Sequence, residues 1–210
     1  DSDPFQTDIV ILSGKQDRFM PKFNYKGFQF VEVSSSTPIQ LSDENLIAVE
    51  MHSDVPAIGY WSSSSELLNK IWKATNSSYL ANLFGYPTDC PQREKNGWTG
   101  DAHIAIETGL YNFDGISIYE KWMNDFCDEQ KDNGVLPCII PTSVWGYDWA
   151  NGVDWTSAVT IIPWEIYRFY GDTTLLRRMY GPIKKYVSYI ESISTNHLTD
   201  WGLGDWVPVR

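Results

Sequence analysis

The feature that most constrains this chain is a change of hydrophobic period near Ser62. Before it, apolar residues fall in short β-branched and aromatic runs: DIVILSG from Asp8, FQFVEVS from Phe28 and NLIAVEMHS from Asn45. In FNYKGFQFVEV they alternate with polar residues around Gly27, the pattern of half-buried antiparallel strands. After it comes SSSSELLNKIWKATNSSYLANL, in which Leu68, Ile71 or Trp72, Thr75 and Tyr79 recur at helical spacing. The serine run supplies a helix cap, and Glu66 sets negative charge in the first turn. The fold expected is mostly α with an N-terminal β segment. Residues 1–60 read as the C-terminal part of a β-sandwich, and 61–210 as a helical domain.

Four further helices are expected. They cover Asp101 to Phe113, capped by Asp101; Gly115 to Gly134, closed by the glycine; Asp154 to Gly171, capped near Asp154 and kinked at Pro163; and Asp172 to Ser194, capped by Asp172. The loops between them are long and rich in Trp, Gly and Asp, and such loops are often functional. In PCIIPTSVWGYDWANGVDW the residues Trp145, Trp149 and Trp155 are spaced to line a cavity. DWGLGDWVPVR is a similar loop with no helix after it, so the chain reads as part of a longer polypeptide.

Composition removes several functions. The net charge is −11 and there is no basic run, which excludes nucleic acid and anionic membrane as natural partners. No stretch of 18 apolar residues is present, so no membrane span is expected. DSDPFQTD is not a signal peptide. Cys90, Cys127 and Cys138 have no C-x-x-C spacing, and His52, His103 and His197 are scattered. Neither a disulfide framework nor a metal site is expected, and no cofactor. Asn76 opens a glycosylation triplet, a common chance match. Periplasmic, secreted and cytoplasmic locations all stay open.

Chemistry concentrates in TDCPQREKNGWTGD. Asp89, Glu94 and Asp101 lie on a segment broken by Pro91 and Gly97, which allows three carboxylates to point into one cleft. Carboxylates accept hydrogen bonds from sugar hydroxyls, and glycoside hydrolysis uses a pair of them. A carboxyl crowded by others and shielded by a ring such as Trp98 is a suitable proton donor near neutral pH. Arg93 and Lys95 are placed to hold neighbouring carboxylates ionised. The bland alternative is a solvated loop whose Asp101 only caps a helix. Glu107 is a rival acid, but its helical surroundings favour a structural role. Two more loops set Asp beside Trp after a Gly: Asp154 with Trp155, and Asp205 with Trp206. Carboxylate plus aromatic face is a common sugar-site combination; capping and core packing are the alternatives.

DCPQREKNGWTGD resembles the signature of the α-L-rhamnosidases of glycoside hydrolase family 78. FNYKGFQFVEV, SSSSELLNKIW, NGVDWTSAVTIIPWEIYRFYGD and GLGDW resemble further segments of that family, so the likeness covers nearly the whole chain. The resemblance implies the front part of an (α/α)₆ barrel that performs inverting hydrolysis of terminal α-L-rhamnosides. It implies Glu94 as general acid, and Asp89, Arg93 and Asp101 as residues that hold the sugar. Trp98, Trp155 and Trp206 would surround the ring, with Asp154 and Asp205 beside them. The implied partners are a rhamnose-containing glycoside or polysaccharide and the rest of the same polypeptide. The family's general base is a downstream Glu with no counterpart here, so it is expected beyond Arg210. The rival functions are another glycosidase or a sugar phosphorylase on the same barrel, and a non-catalytic carbohydrate-binding module.

Overall fold

Ser65 starts the first helix, as its sequence requires. Its side chain accepts from the Leu68 N–H, and α1 runs from Glu66 to Ala81. The computed structural model describes residues 6–205. Five more helices follow: α2 (Thr99–Asn112), α3 (Ile116–Glu129), the short α4 (Val153–Thr156), α5 (Ala158–Tyr170) and α6 (Thr174–Ile193). The α2 helix packs against α1, α4 and α5; α5 packs on α6, and α3 on both α5 and α6. No helix among the described residues is long and apolar enough to cross a membrane.

The core lies among α2, α3, α5 and α6. Tyr119, Trp122, Met123 and Phe126 from α3 meet Val159, Ile162 and Ile166 from α5, and Leu175 and Met179 from α6. Burying side chains of this size stabilises by about 1.5–3 kcal/mol each before entropy is counted. The buried Trp122 indole donates to the Ile140 carbonyl at 2.9 Å, which ties the long loop to α3.

The ends of the helices depart from the sequence reading in several places. Asp101 is not the cap of α2. That position belongs to Trp98, and Asp101 falls in the first turn, where the helix dipole still favours its charge. The α3 helix stops at Glu129, and Gly134 belongs to the turn beyond it, at φ +92°. The helix expected from Asp154 is broken at Ser157 into α4 and α5. Asp154 does not cap it, because its carboxylate accepts from the Gly204 N–H instead. Pro163 lies inside α5, which continues to a left-handed Gly171. Asp172 stands one residue ahead of the cap Thr173 and accepts from the Thr174 N–H at 2.8 Å. That bond holds its carboxyl below the usual value. Asn76 turns inward, its amide donating to Asn112 Oδ1 at 3.4 Å.

The N-terminal strands are not formed among the described residues. Residues 6–60 run without a strand, and Ala57 makes only an isolated bridge to Phe113. A strand needs a ladder partner and a surface to bury its apolar face. Here Ile11 is 94% exposed and Phe30 is 90% exposed, so neither condition is met.

The α1–α2 contact is close because α2 presents Gly109 to it. A Cβ there would lie 2.2 Å from the Tyr79 hydroxyl. Tyr79 cannot swing away easily: it stacks on Phe113 at 5.6 Å and shares a 2.9 Å hydrogen bond with the Tyr119 hydroxyl. Gly→Ala inside a helix ordinarily stabilises by about 1 kcal/mol. Here Gly109→Ala is expected to destabilise by about 1–3 kcal/mol, the cost of overpacking. Urea unfolding checks the sign, and a stabilised variant would refute the packing argument.

Candidate active site

The irregular loop between α1 and α2 is built around Asp89. Its Oδ1 accepts from the Asn96 N–H at 2.9 Å, and its Oδ2 from the Cys90 thiol at 2.8 Å. The Asp89 N–H donates to the Asn96 carbonyl at 3.0 Å, which closes the loop on itself. The far end is clipped to the segment at 138–140. Thr99 N–H and hydroxyl both donate to Cys138 O at 2.9 Å, and the Ile140 N–H donates to Gly97 O at 2.9 Å. Glu94 sits at the exposed turn. Its N–H donates to Cys90 Sγ at 3.3 Å, and its Oε2 accepts from the Trp98 indole at 2.9 Å.

A cavity of about 760 Å³ opens beside this loop. Of the residues singled out in the sequence, Asp89, Asp101, Asp154, Trp155 and Asp205 line it together. Glu94, Arg93 and Trp98 do not line it. Glu94 and Arg93 are exposed, and Trp98 packs behind Trp155 with ring centroids 5.1 Å apart. Trp206 lies outside the described residues. Trp145 and Trp149 do not line the cavity either. They pack on each other at 5.6 Å, and Trp149 packs edge-on against Trp98 at 5.8 Å. The cluster thus supports the Trp155 wall from behind.

Trp155 reaches this position because Gly100 leaves room for it. A Cβ at Gly100 would lie 2.1 Å from the indole ring. The Trp155 N–H donates to Gly204 O at 3.3 Å. The Asp154 carboxylate holds the Gly204 N–H, and its carbonyl accepts from His103 Nε2 at 3.0 Å. A carbonyl only accepts, so this nitrogen of His103 carries a proton. Asp154 therefore both faces the cavity and ties the loop near Gly204 to α2 and α4.

The α1 face of the cavity was not foreseen. Thr75, Ser78, Tyr79 and Asn82 contribute to it, with Thr108 from α2. Thr75 and Tyr79 follow the helical spacing read as a packing face; Ser78 and Asn82 carry no signal beyond polarity.

Two charged residues beside the site find partners on other elements, and Glu107 is structural as its helical surroundings suggested. Lys95 reaches back to the leading segment. Its ammonium donates to Asn24 Oδ1 at 2.9 Å and Tyr25 O at 2.7 Å, and lies 4.7 Å from the Tyr25 ring centre. Glu107 pairs with Arg168 at 2.8 Å, which also holds the buried Glu165, so it bridges α2 to α5. The carboxyl that the surroundings raise is that of Asp101. Partial desolvation of this exposed residue at the cavity wall is the main cause; its own N–H opposes it, and the charges of Asp89 and Glu94 add to the rise. The three carboxylates of the loop therefore lie close enough to feel one another.

Comparison with known proteins agrees with this architecture. A model of the bacterial alpha-L-rhamnosidase 6 hairpin glycosidase domain matches residues 56–210, and one of the bacterial alpha-L-rhamnosidase concanavalin-like domain matches residues 2–52. An α-L-rhamnosidase of Alteromonas sp. (strain LOR) is 33% identical over 192 residues, which is 90% of this chain and 21% of that protein. One from Formosa agariphila is 32% identical over 207 residues, 93% of this chain and 21% of that protein. The solved α-L-rhamnosidase of Dictyoglumus thermophilum superposes with a TM-score of 0.70 at 38% identity, covering 74% of this chain and 18% of that one. The Streptomyces avermitilis α-L-rhamnosidase complexed with L-rhamnose gives a TM-score of 0.70 at 28% identity, over 75% of this chain and 15% of that one. Residues 56–210 fall in the six-hairpin glycosidase class. More particularly, the chain belongs to the bacterial α-L-rhamnosidase family. It spans about a fifth of the length of the curated relatives it matches.

The raised Asp101 carboxyl makes a testable statement about stability. The folded protein binds this proton more tightly than the unfolded chain, whose value is about 3.8. The cost of ionising it is absent below that value and appears as pH rises through the folded one. Asp101→Asn is expected to raise the urea midpoint at pH 7, with the gain shrinking as pH falls toward 3.8. A loss of stability at pH 7 would contradict the assignment.

Proposed function

We propose that this chain is the front part of an inverting α-L-rhamnosidase, carrying the acid and much of the sugar grip. The observation that carries the reading is the meeting of Asp89, Asp101, Asp154, Asp205 and Trp155 around one cavity, beside the loop that bears Glu94. Residues 1–60 belong to the end of a β-sandwich and 61–210 to part of an (α/α)₆ barrel. The substrate is a terminal rhamnoside on a glycoside or polysaccharide.

In this reading Glu94 protonates the glycosidic oxygen as the bond to the anomeric carbon breaks. The departing group leaves as a neutral alcohol, and charge builds on the sugar ring. Asp89 and Asp101 accept hydrogen bonds from ring hydroxyls, and the exposed Arg93 supplies donors. Asp89 is well suited, because loop donors already fix both its oxygens. Trp155, backed by Trp98, offers an apolar face to the C–H side of the ring and its methyl group; by resemblance to the family, Trp206 is a further substrate-binding residue. Inversion needs a second carboxylate roughly 6.5–9.5 Å from the acid, with a water between. That base is assigned to the portion of the enzyme outside these 210 residues.

In the full-length enzyme, Glu94→Gln is expected to lower kcat for rhamnosides with poor leaving groups by about 10²–10⁴-fold. Aryl rhamnosides with strongly activated leaving groups need little protonation and are expected to lose much less. Equal, small losses on both would remove Glu94 from the acid role. A panel of other aryl glycosides, with and without phosphate, tests the substrate class.

A further inference from the structure

We infer that Trp98 is a positioning residue for the acid, and that it selects which oxygen of Glu94 carries the catalytic proton. The inference rests on the reading of Glu94 as general acid. Trp98 entered the argument as a wall of the sugar pocket, but its ring lies behind Trp155 and outside the cavity. What it does touch is Glu94: the indole N–H donates to Oε2 at 2.9 Å.

The chemistry of that contact is one-directional. An indole nitrogen is a donor and never an acceptor. An oxygen receiving its hydrogen cannot also point a proton along the same line. When Glu94 is protonated, the proton is therefore directed to Oε1, and Oε2 stays the acceptor. The two oxygens of the acid are thus made distinct: one faces the protein, and the other is left for the bond to be cleaved.

The clamp is firm at both ends. The Glu94 backbone is held by its N–H to Cys90 Sγ at 3.3 Å. The indole is held by aromatic neighbours on two sides, Trp155 at 5.1 Å and Trp149 at 5.8 Å. Trp98 also bridges to Ile139 and caps α2, so its backbone is fixed by two elements. A side chain so constrained loses little further entropy in holding a carboxylate, whereas an exposed glutamate without it samples several rotamers.

The test uses the full-length enzyme with Trp98→Phe, which keeps an aromatic ring and removes the N–H. With poor leaving groups kcat/KM is expected to fall about 10- to 100-fold, the cost of a lost hydrogen bond to a charged group. With activated leaving groups it is expected to fall less than about threefold, since protonation then contributes little. The loss is expected in kcat rather than in KM, because Trp98 does not line the cavity. Equal losses on both substrates, or a loss carried by KM, would reduce Trp98 to packing and overturn the inference, as would no loss at all. If Trp98→Phe does not fold, benzothienylalanine at position 98 keeps the bicyclic shape, replaces N–H by sulfur and faces the same criteria. The parent reading fails separately. If Glu94→Gln lacks the leaving-group dependence, the acid assignment falls. If Glu94→Gln shows it and the Trp98 variants do not, only the positioning role falls.

Discussion

Everything at the candidate site hangs on a small clip between two irregular segments. The buried Thr99 gives both its N–H and its hydroxyl hydrogen to Cys138 O, and the Ile140 N–H answers to Gly97 O. Ile140 is in turn held by the Trp122 indole from the middle of the core. This joins the acid loop to the buried core without a strand or a disulfide among the described residues. Each buried donor left unpaired would cost about 1–3 kcal/mol, so the clip is all but obligatory once the core has formed. From it the α2 helix departs at Thr99, which sets Asp101 on the cavity wall and Trp98 against its aromatic neighbours.

The cavity shows how one small residue permits a large one. Gly100 carries no side chain where the Trp155 indole lies, and that ring becomes the apolar wall. Behind it Trp98, Trp149 and Trp145 lean on one another in succession. A planar apolar face opposed by carboxylates fits a sugar, which has C–H faces and a rim of hydroxyls. Of these four tryptophans, one meets the cavity and three brace it.

Much of this was legible in the chain. Serine before Glu66, and apolar residues at helical spacing, gave α1 correctly, and of the carboxylates clustered on one broken segment Asp89 and Asp101 share a cleft while Glu94 stands outside its lining. The errors have physical causes. Asp101 and Asp154 looked like caps because a carboxylate before an apolar run usually is one. A tertiary partner, Gly204, claimed Asp154, and the clip at Thr99 started α2 two residues earlier than Asp101 allows. Lys95 reads as a counter-ion because its sequence neighbours are acidic, and nothing in the chain showed that its ammonium also donates to residues some seventy positions away. The N-terminal runs have strand composition and match a concanavalin-like domain, but no ladder forms among the described residues. Ser78 and Asn82 were invisible because a polar residue on a helix says nothing about which cavity it faces.

The Lys95 contact carries a consequence for how such proteins are rearranged. Lys95 follows the acid directly and adopts φ +56°, a conformation costly for a residue with a Cβ. Its ammonium is satisfied by Asn24 and by the carbonyl of Tyr25. Gln6 adds a second tether, donating to Gln92 O at 2.7 Å. The leading segment and the helical part therefore do not behave as exchangeable cassettes. A chimera that joins these helices to a foreign leader removes two moorings of the loop that bears Glu94. A transplant judged only by whether both halves fold would miss this, because the damage falls on the aim of a single carboxyl group.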